Sequence, residues 1–120
     1  MRSRTEILDI IAQASGTQAY HRFSAVIGFP VITDGVLALA EAAGCFWLLD
    51  IIGSYQTNKK LDPAFQVWRL TVDLKTQTAA VCGYNDAELI VTQKILYTNF
   101  PLDEVKLYLI DGVILLTGEY

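Results

Sequence analysis

The sequence contains few of the residue types on which metal sites and many enzymatic sites depend. It has one histidine and two cysteines in 120 residues. Two isolated cysteines provide no disulfide framework, and with a single histidine they offer no paired ligand spacing for zinc. The glycines form no phosphate-binding loop, and no segment has the acidic pattern of a calcium loop. We therefore expect no metal ion and no cofactor.

Charged residues are also scarce, at 18% of the chain, compared with about 25% in typical domains. The net charge of −4 arises in the second half of the chain, which has four basic and eight acidic residues. This balance gives phosphate groups no general attraction, which argues against nucleic acid and against anionic membranes as partners. Apolar residues make up 52% of the chain. This surplus predicts a subunit interface or a ligand pocket, and it favours a homodimer or another protein partner.

No segment has the character of a leader peptide or of a membrane span. The first residues have the arginines of a signal peptide, but Glu6 and Asp9 interrupt its apolar part, so a helix fits better. Residues 35–55 approach the length of a membrane span but include Glu41 and Asp50, and a charge deep in a bilayer is costly. We therefore predict a cytoplasmic protein whose whole chain, residues 1–120, is a single domain.

The first half of the chain shows the patterns of helices. Residues 4–14 carry apolar side chains at helical spacing, with acidic residues away from that stripe. Thr33 and Asp34 are good N-cap residues for a second helix over 35–43. A third segment, over 46–56, is apolar on most sides, which predicts a buried helix.

The second half of the chain shows the patterns of strands. Segments 65–73, 78–84 and 88–97 are rich in β-branched and aromatic residues, and turn-forming residues separate them, which predicts an antiparallel meander. Pro101, followed by acidic residues and apolar residues at helical spacing, predicts a further helix before a short final strand. The predicted fold class is α+β, with helices in the N-terminal half packed on one face of an antiparallel β-sheet from the C-terminal half.

Three residues are candidates for a nucleophilic site. Cys45 lies near the start of the third predicted helix, His21 is the sole imidazole, and Asp50 could orient that imidazole. The spacing does not bring the three side chains together, and no protease signature surrounds them. A cysteine in an apolar run such as GCFWLL is more often a small buried side chain. A small hydrolase or transferase that uses these residues is therefore the alternative hypothesis.

A second group of candidates is suited to ligand binding or interaction. Tyr20, His21 and Arg22 could bind an anionic or aromatic ligand, because arginine presents a planar fork to carboxylate or phosphate. Asp50 lies in a segment predicted to be buried, so it needs a cation such as Arg22, Arg69 or His21. Arg69 lies within a predicted strand and could reach an acidic residue across the sheet. The competing interpretation is structural. Arg22 would form an ion pair with Asp34 or Asp50, Asp50 would be paired only for stability, and the stem of Arg69 would cover apolar surface.

Several stretches of the sequence resemble a known protein family. They are YHRFS at 20–24, TDGVLALAEAAGCFWLLDIIGSYQ at 33–56, FQVWRLTVD at 65–73 and FPLDEVKLYLIDGVILL at 100–116. Together they resemble a family of small single-domain proteins of unknown function that occurs in bacteria, on plasmids and in phages. The resemblance implies a common fold and a cytoplasmic setting, and it brings no established activity.

The sequence leaves three hypotheses for function. The leading one is a noncatalytic binding or interaction module, such as an accessory protein of a mobile element, because catalytic signatures are lacking and apolar residues are in surplus. The alternatives are the hydrolase or transferase already described and a small-molecule-sensing domain. The pocket of such a sensor is expected near Tyr20, Arg22 and Asp50.

Overall fold

Three helices cover one face of a seven-stranded sheet in the computed structural model, which describes residues 3–13 and 19–120. The helices are α1 (Arg4–Gln13), α2 (Asp34–Ala43) and α3 (Phe46–Ser54). The strands are β1 (Tyr20–Arg22), β2 (Val31–Thr33), β3 (Gln66–Asp73), β4 (Thr78–Asn85), β5 (Glu88–Ile95), β6 (Glu104–Ile110) and β7 (Val113–Leu116). The predicted α+β fold class and the packing of N-terminal helices on a sheet are therefore confirmed. None of these helices has the length and apolar character needed to cross a bilayer.

The order of the strands across the sheet is β1-β2-β7-β6-β3-β4-β5. The predicted meander is present as β3, β4 and β5, which pair in antiparallel fashion. The hairpin of β1 and β2 comes from the N-terminal half and joins the sheet through parallel pairing of β2 with β7. The sheet therefore combines both halves of the chain, whereas the sequence predicted a sheet from the C-terminal half.

The predicted helix after Pro101 is wrong, because residues 104–110 form strand β6. Val105 and Leu109 are four residues apart, which fits a helical stripe and also the alternation of a strand. In the structure these two side chains are buried on the helix-covered face of the sheet together with Leu107. Pairing of β6 with β3 on one side and β7 on the other decides between the two patterns.

Helix α2 begins and ends as its sequence predicts. The Thr33 hydroxyl oxygen accepts a hydrogen bond from the Val36 N–H at 3.2 Å, and Gly44 ends the helix in the left-handed conformation with φ 64°. The same hydroxyl donates to the Glu119 carboxylate at 2.7 Å. The start of α2 is therefore attached to the last residues of the chain. The helix predicted over 4–14 is confirmed as α1 over Arg4–Gln13, and residue 14 lies outside the described residues.

The core between helices and sheet is closed around Trp68. Its ring is almost completely buried and lies against Gly83 of β4, where an added Cβ would be 2.6 Å from the indole. The indole N–H donates to Gln66 Oε1 at 2.9 Å, and Gln66 exchanges two side-chain hydrogen bonds with Gln56. The polar groups beside the tryptophan are thus satisfied within the fold.

The opposite side of the sheet, here called the open face, is not covered by any of the helices α1 to α3. Along β3 the residues alternate between buried side chains, such as Trp68 and Leu70, and accessible ones, such as Val67, Arg69 and Thr71. The accessible residues belong to the open face. A solvent-accessible surface across several strands is where this fold can present side chains to a ligand or a partner.

Candidate functional site

The three residues considered for nucleophilic catalysis lie in different parts of the fold. His21 is on β1, and its Nε2 lies 2.6 Å from Oδ1 of Asp34, the first residue of α2. Cys45 follows the other end of the same ten-residue helix, which is about 15 Å long at 1.5 Å per residue. Asp50 is on α3, where its side chain is exposed. The fold therefore does not assemble His21 with Cys45.

Cys45 has the environment of a core residue. It is 1% exposed, and its Sγ lies 4.0 Å from the Leu39 carbonyl oxygen. Burial raises the pKa of this thiol from 9.0 to about 12, against a smaller lowering effect of a backbone hydrogen bond. Because the thiolate is the nucleophilic form of cysteine, a thiol with this pKa is inert near neutral pH.

The expectation that Asp50 is buried is wrong, because α3 turns this side chain toward solvent. An exposed carboxylate needs no cation to compensate for lost hydration, so the reason for pairing it with Arg22 or Arg69 disappears. Arg22 is itself exposed on β1. Arg69 instead lies near Glu104, with 3.4 Å between Nε and Oε1. The acidic partner across the sheet that was expected for Arg69 is therefore Glu104.

Tyr20 lies at a shallow concavity on the side of the sheet near β1 and β7. The concavity has a volume of about 300 Å³, and its lining includes Tyr20, Thr33, Val113 and Glu119. Arg22 and Asp50 do not line it. Of the three residues near which a pocket was expected, Tyr20, Arg22 and Asp50, this concavity includes only Tyr20.

Arg69 is the sequence candidate that lies with other charged and aromatic side chains in a cavity. This cavity, here called the Arg69 pocket, lies on the open face and has a volume of about 390 Å³. One carboxylate, that of Asp86, lines the pocket with the two cations. The full lining comprises Phe65 just before β3, Val67 and Arg69 of β3, Tyr84 of β4, Asp86 and Ala87 of the following turn, and Lys106 and Tyr108 of β6.

Two cations lie side by side in the Arg69 pocket. Arg69 on β3 is directly opposite Lys106 on β6 in the antiparallel register. Like charges in directly opposite positions destabilise a sheet, because the two side chains are close neighbours on one face. Glu104 offsets part of this repulsion, but its contact with Arg69 joins two side chains that are 40% and 49% exposed, and such ion pairs are weak. Arg69 Nε is buried and donates no hydrogen bond to any described residue.

Aromatic side chains form two walls of the Arg69 pocket. Val67 is opposite Tyr84 on one neighbouring strand and opposite Tyr108 on the other. At a strand spacing of about 4.8 Å, the backbones of the two tyrosines are roughly 10 Å apart, and Val67 forms the floor between them. The wall at Tyr108 is extended by Phe65 and Tyr120, whose ring centroids lie 5.3 and 5.5 Å from that of Tyr108.

Sequence reasoning found Arg69 but missed the other members of this pocket. Lys106 and Tyr108 were assigned to a helix, where they would not share a face. Tyr84 is the seventh residue of a correctly predicted strand, but the sequence did not show which strand residue would stand beside it. The sequence did carry one signal for these residues. Lys106 and Tyr108 are two positions apart in KLY, which is the spacing that places two strand side chains on the same face.

Comparisons with known proteins identify a family and bring no activity with it. No curated protein and no solved structure matches the chain. A sequence model described as a family of unknown function matches residues 5–120, and this range includes every stretch that carried the resemblance. The expected membership in a family of unknown function is therefore confirmed, and the chain belongs to DUF6876.

Proposed function

We propose that this protein is a noncatalytic binding module and that the Arg69 pocket takes a small ligand with a planar ring and an anionic group. The single observation that carries the proposal is the placement of Arg69 directly opposite Lys106 between aromatic walls.

The anionic group of the ligand follows from the two cations. Repulsion between Arg69 and Lys106 is unfavourable in the free protein and is relieved when an anion lies between them. Arginine binds carboxylate or phosphate through two parallel hydrogen bonds, and Lys106 adds a point charge beside it.

The planar ring of the ligand follows from the walls of the pocket. A flat ring on Val67 contacts the faces of Tyr84 and Tyr108, and such aromatic contacts contribute about 0.5–1.5 kcal/mol beyond the area that they bury. The volume of about 390 Å³ is at the lower end of the range of small-molecule pockets. The proposed chemistry is therefore one ring system with a carboxylate or a single phosphate.

The noncatalytic part of the proposal is supported by the positions of Cys45 and His21. The buried thiol and the imidazole belong to opposite ends of α2, and neither lines the Arg69 pocket. The second cysteine, Cys82, is on β4, which lies five positions from β1 and His21 in the order of strands across the sheet. Binding without covalent chemistry is the function that this arrangement favours.

A comparison of four compounds tests the proposal, with thermal unfolding and titration calorimetry as measurements. Adenosine 5′-monophosphate and benzoate combine a ring with an anion, whereas adenosine and inorganic phosphate each supply one feature. We expect a ring with an anion to raise the melting temperature more than either feature alone, because the ligand stabilises the folded state to which it binds. Tighter binding of adenosine 5′-monophosphate than of benzoate indicates that the ligand is a nucleotide. Tighter binding of benzoate indicates that it is an aromatic acid.

Matched variants show whether the binding uses the proposed cations. Arg69→Gln and Lys106→Gln should each weaken binding about tenfold to a hundredfold, because a hydrogen bond to a charged group contributes about 1.5–3 kcal/mol. Lys75→Gln, which removes a charge from the exposed turn after β3, should leave the affinity unchanged. The proposal fails if none of the four compounds binds, or if binding persists unchanged in both pocket variants.

A further inference from the structure

The end of the open face away from the Arg69 pocket carries an exposed apolar surface. This surface, here called the end patch, consists of Asp73, Ala79, Ala80, Lys94 and Leu96, which line a second concavity of about 410 Å³. Leu96 is 91% exposed, which is extreme for a large aliphatic side chain. An exposed leucine beside a largely apolar concavity is typical of a surface that contacts another molecule.

We propose that the end patch is a homodimer interface and that a second copy of this chain occupies it. The patch contains both parts that a symmetric contact needs, a projecting Leu96 and a shallow hollow in which Ala80 of β4 lies on the open face. In a two-fold dimer the same patch is used twice, so Leu96 of each copy enters the hollow of the other. The small Ala80 side chain leaves the hollow open to Leu96 of the second copy.

The charges of the end patch are complementary to themselves. Asp73 at the end of β3 and Lys94 near the end of β5 lie on the two sides of β4. A two-fold axis normal to the sheet at the end of β4 exchanges these sides and sets Asp73 of each copy against Lys94 of the other. Asp73 is also held in place, because its Oδ1 accepts hydrogen bonds from the backbone N–H groups of Lys75 and Thr76. Its second carboxylate oxygen is free to meet the lysine of the second copy.

The dimer leaves the Arg69 pocket open. Val67, the floor of that pocket, lies six residues before Asp73 on β3, which is about 20 Å at 3.3 Å per residue. Two copies joined at their end patches therefore present two separate pockets. The dimer proposal rests on the end patch alone, and it stands or falls independently of the ligand.

Sedimentation equilibrium of the full chain tests the interface. Wild-type protein should pass from monomer to dimer between about 1 and about 200 µM, the concentration range of a modest self-association. Leu96→Asp should raise the dimer dissociation constant at least about tenfold, because it places a charge in the apolar hollow. Leu89→Asp is the matched control, since Leu89 is on the same strand, is 53% exposed and lies outside the patch. It should associate as wild type does.

Charge variants test whether Asp73 of one copy lies opposite Lys94 of the other. Lys94→Glu should weaken the dimer, because it sets two carboxylates against each other, and adding Asp73→Asn should restore part of the association. Asparagine keeps the oxygen that accepts from the turn, so the hairpin is preserved. A wild-type chain that stays monomeric over the whole range overturns the proposal, as does a dimer that Leu96→Asp and Lys94→Glu leave intact. Circular dichroism of each variant separates loss of association from loss of folding.

Discussion

Replacing Cys45 with alanine should remove a pH dependence of stability that the wild-type chain shows in alkali. The folded chain raises the pKa of this thiol to about 12, whereas the value for an ordinary exposed thiol is 9.0. A group whose pKa is raised by folding contributes stability that is complete below the unfolded pKa and is lost as the pH rises toward the folded pKa. The wild-type protein should therefore lose this contribution between about pH 9 and about pH 12.

The size of the effect follows from the two pKa values. One pKa unit corresponds to about 1.4 kcal/mol, so at about pH 10.5 ionisation of the unfolded thiol lowers the free energy of unfolding by about 2 kcal/mol relative to about pH 8. Cys45→Ala lacks this component. Truncation in the core lowers its stability as well, but by the same amount at both pH values. All other ionisable groups are present in both proteins, so the difference between the two proteins isolates Cys45.

Urea unfolding followed by tryptophan fluorescence measures the difference, because Trp68 is buried in the core. The two proteins are compared at both pH values under reducing conditions. The expected result is a pH-dependent loss that is about 2 kcal/mol larger in the wild type. An equal loss in both proteins would mean that the thiol ionises as easily in the folded chain as in the unfolded one. The core position of Cys45, and with it one support of the noncatalytic proposal, would then be refuted.

Three further predictions concern individual contacts. Thr33→Ala should lower the free energy of unfolding by about 2–4 kcal/mol in urea titration, because it removes both the N-cap of α2 and the donor to Glu119, whereas Thr33→Ser should be close to wild type. Gly83→Ala should cost about 1–3 kcal/mol in the same assay, because its Cβ would meet the Trp68 ring at 2.6 Å. Unchanged stability would contradict that close packing. In native protein, iodoacetamide should modify Cys82 on the open face and spare Cys45, and mass spectrometry that finds both modified at equal rates would argue against the burial of Cys45.

Features that depend on neighbouring residues in the chain were predictable from the sequence. The caps of α2 at Thr33 and Gly44 and the meander of β3 to β5 are of this kind, because turn and cap chemistry is local. Strand β6 was not predictable in this way. Its apolar residues fit two periods, and only its position between β3 and β7 selects the strand.

The candidate site depends on register, which one sequence does not reveal. Arg69 stood out as a cation within an apolar strand, but its significance comes from Lys106 on a strand 37 positions later in the chain. Asp50 stood out because its neighbours are apolar. The rotation of α3 decides its exposure, and packing against the sheet sets that rotation. The sequence therefore identified Arg69 as one member of the Arg69 pocket. It also singled out Asp50, which lies exposed on the surface.

The parallel pairing of β2 with β7 has a consequence for how the chain folds during synthesis. Thr33 and Glu119, which meet at the start of α2, are 86 positions apart in the chain, so the ribosome makes the helices long before the strands that receive them. Contacts across such long stretches form slowly, because a large loop has to close first. Until β6 and β7 emerge, the sheet on which the apolar helix α3 packs is incomplete. Nascent or truncated chains are thus the forms of this protein most exposed to aggregation and most dependent on chaperones.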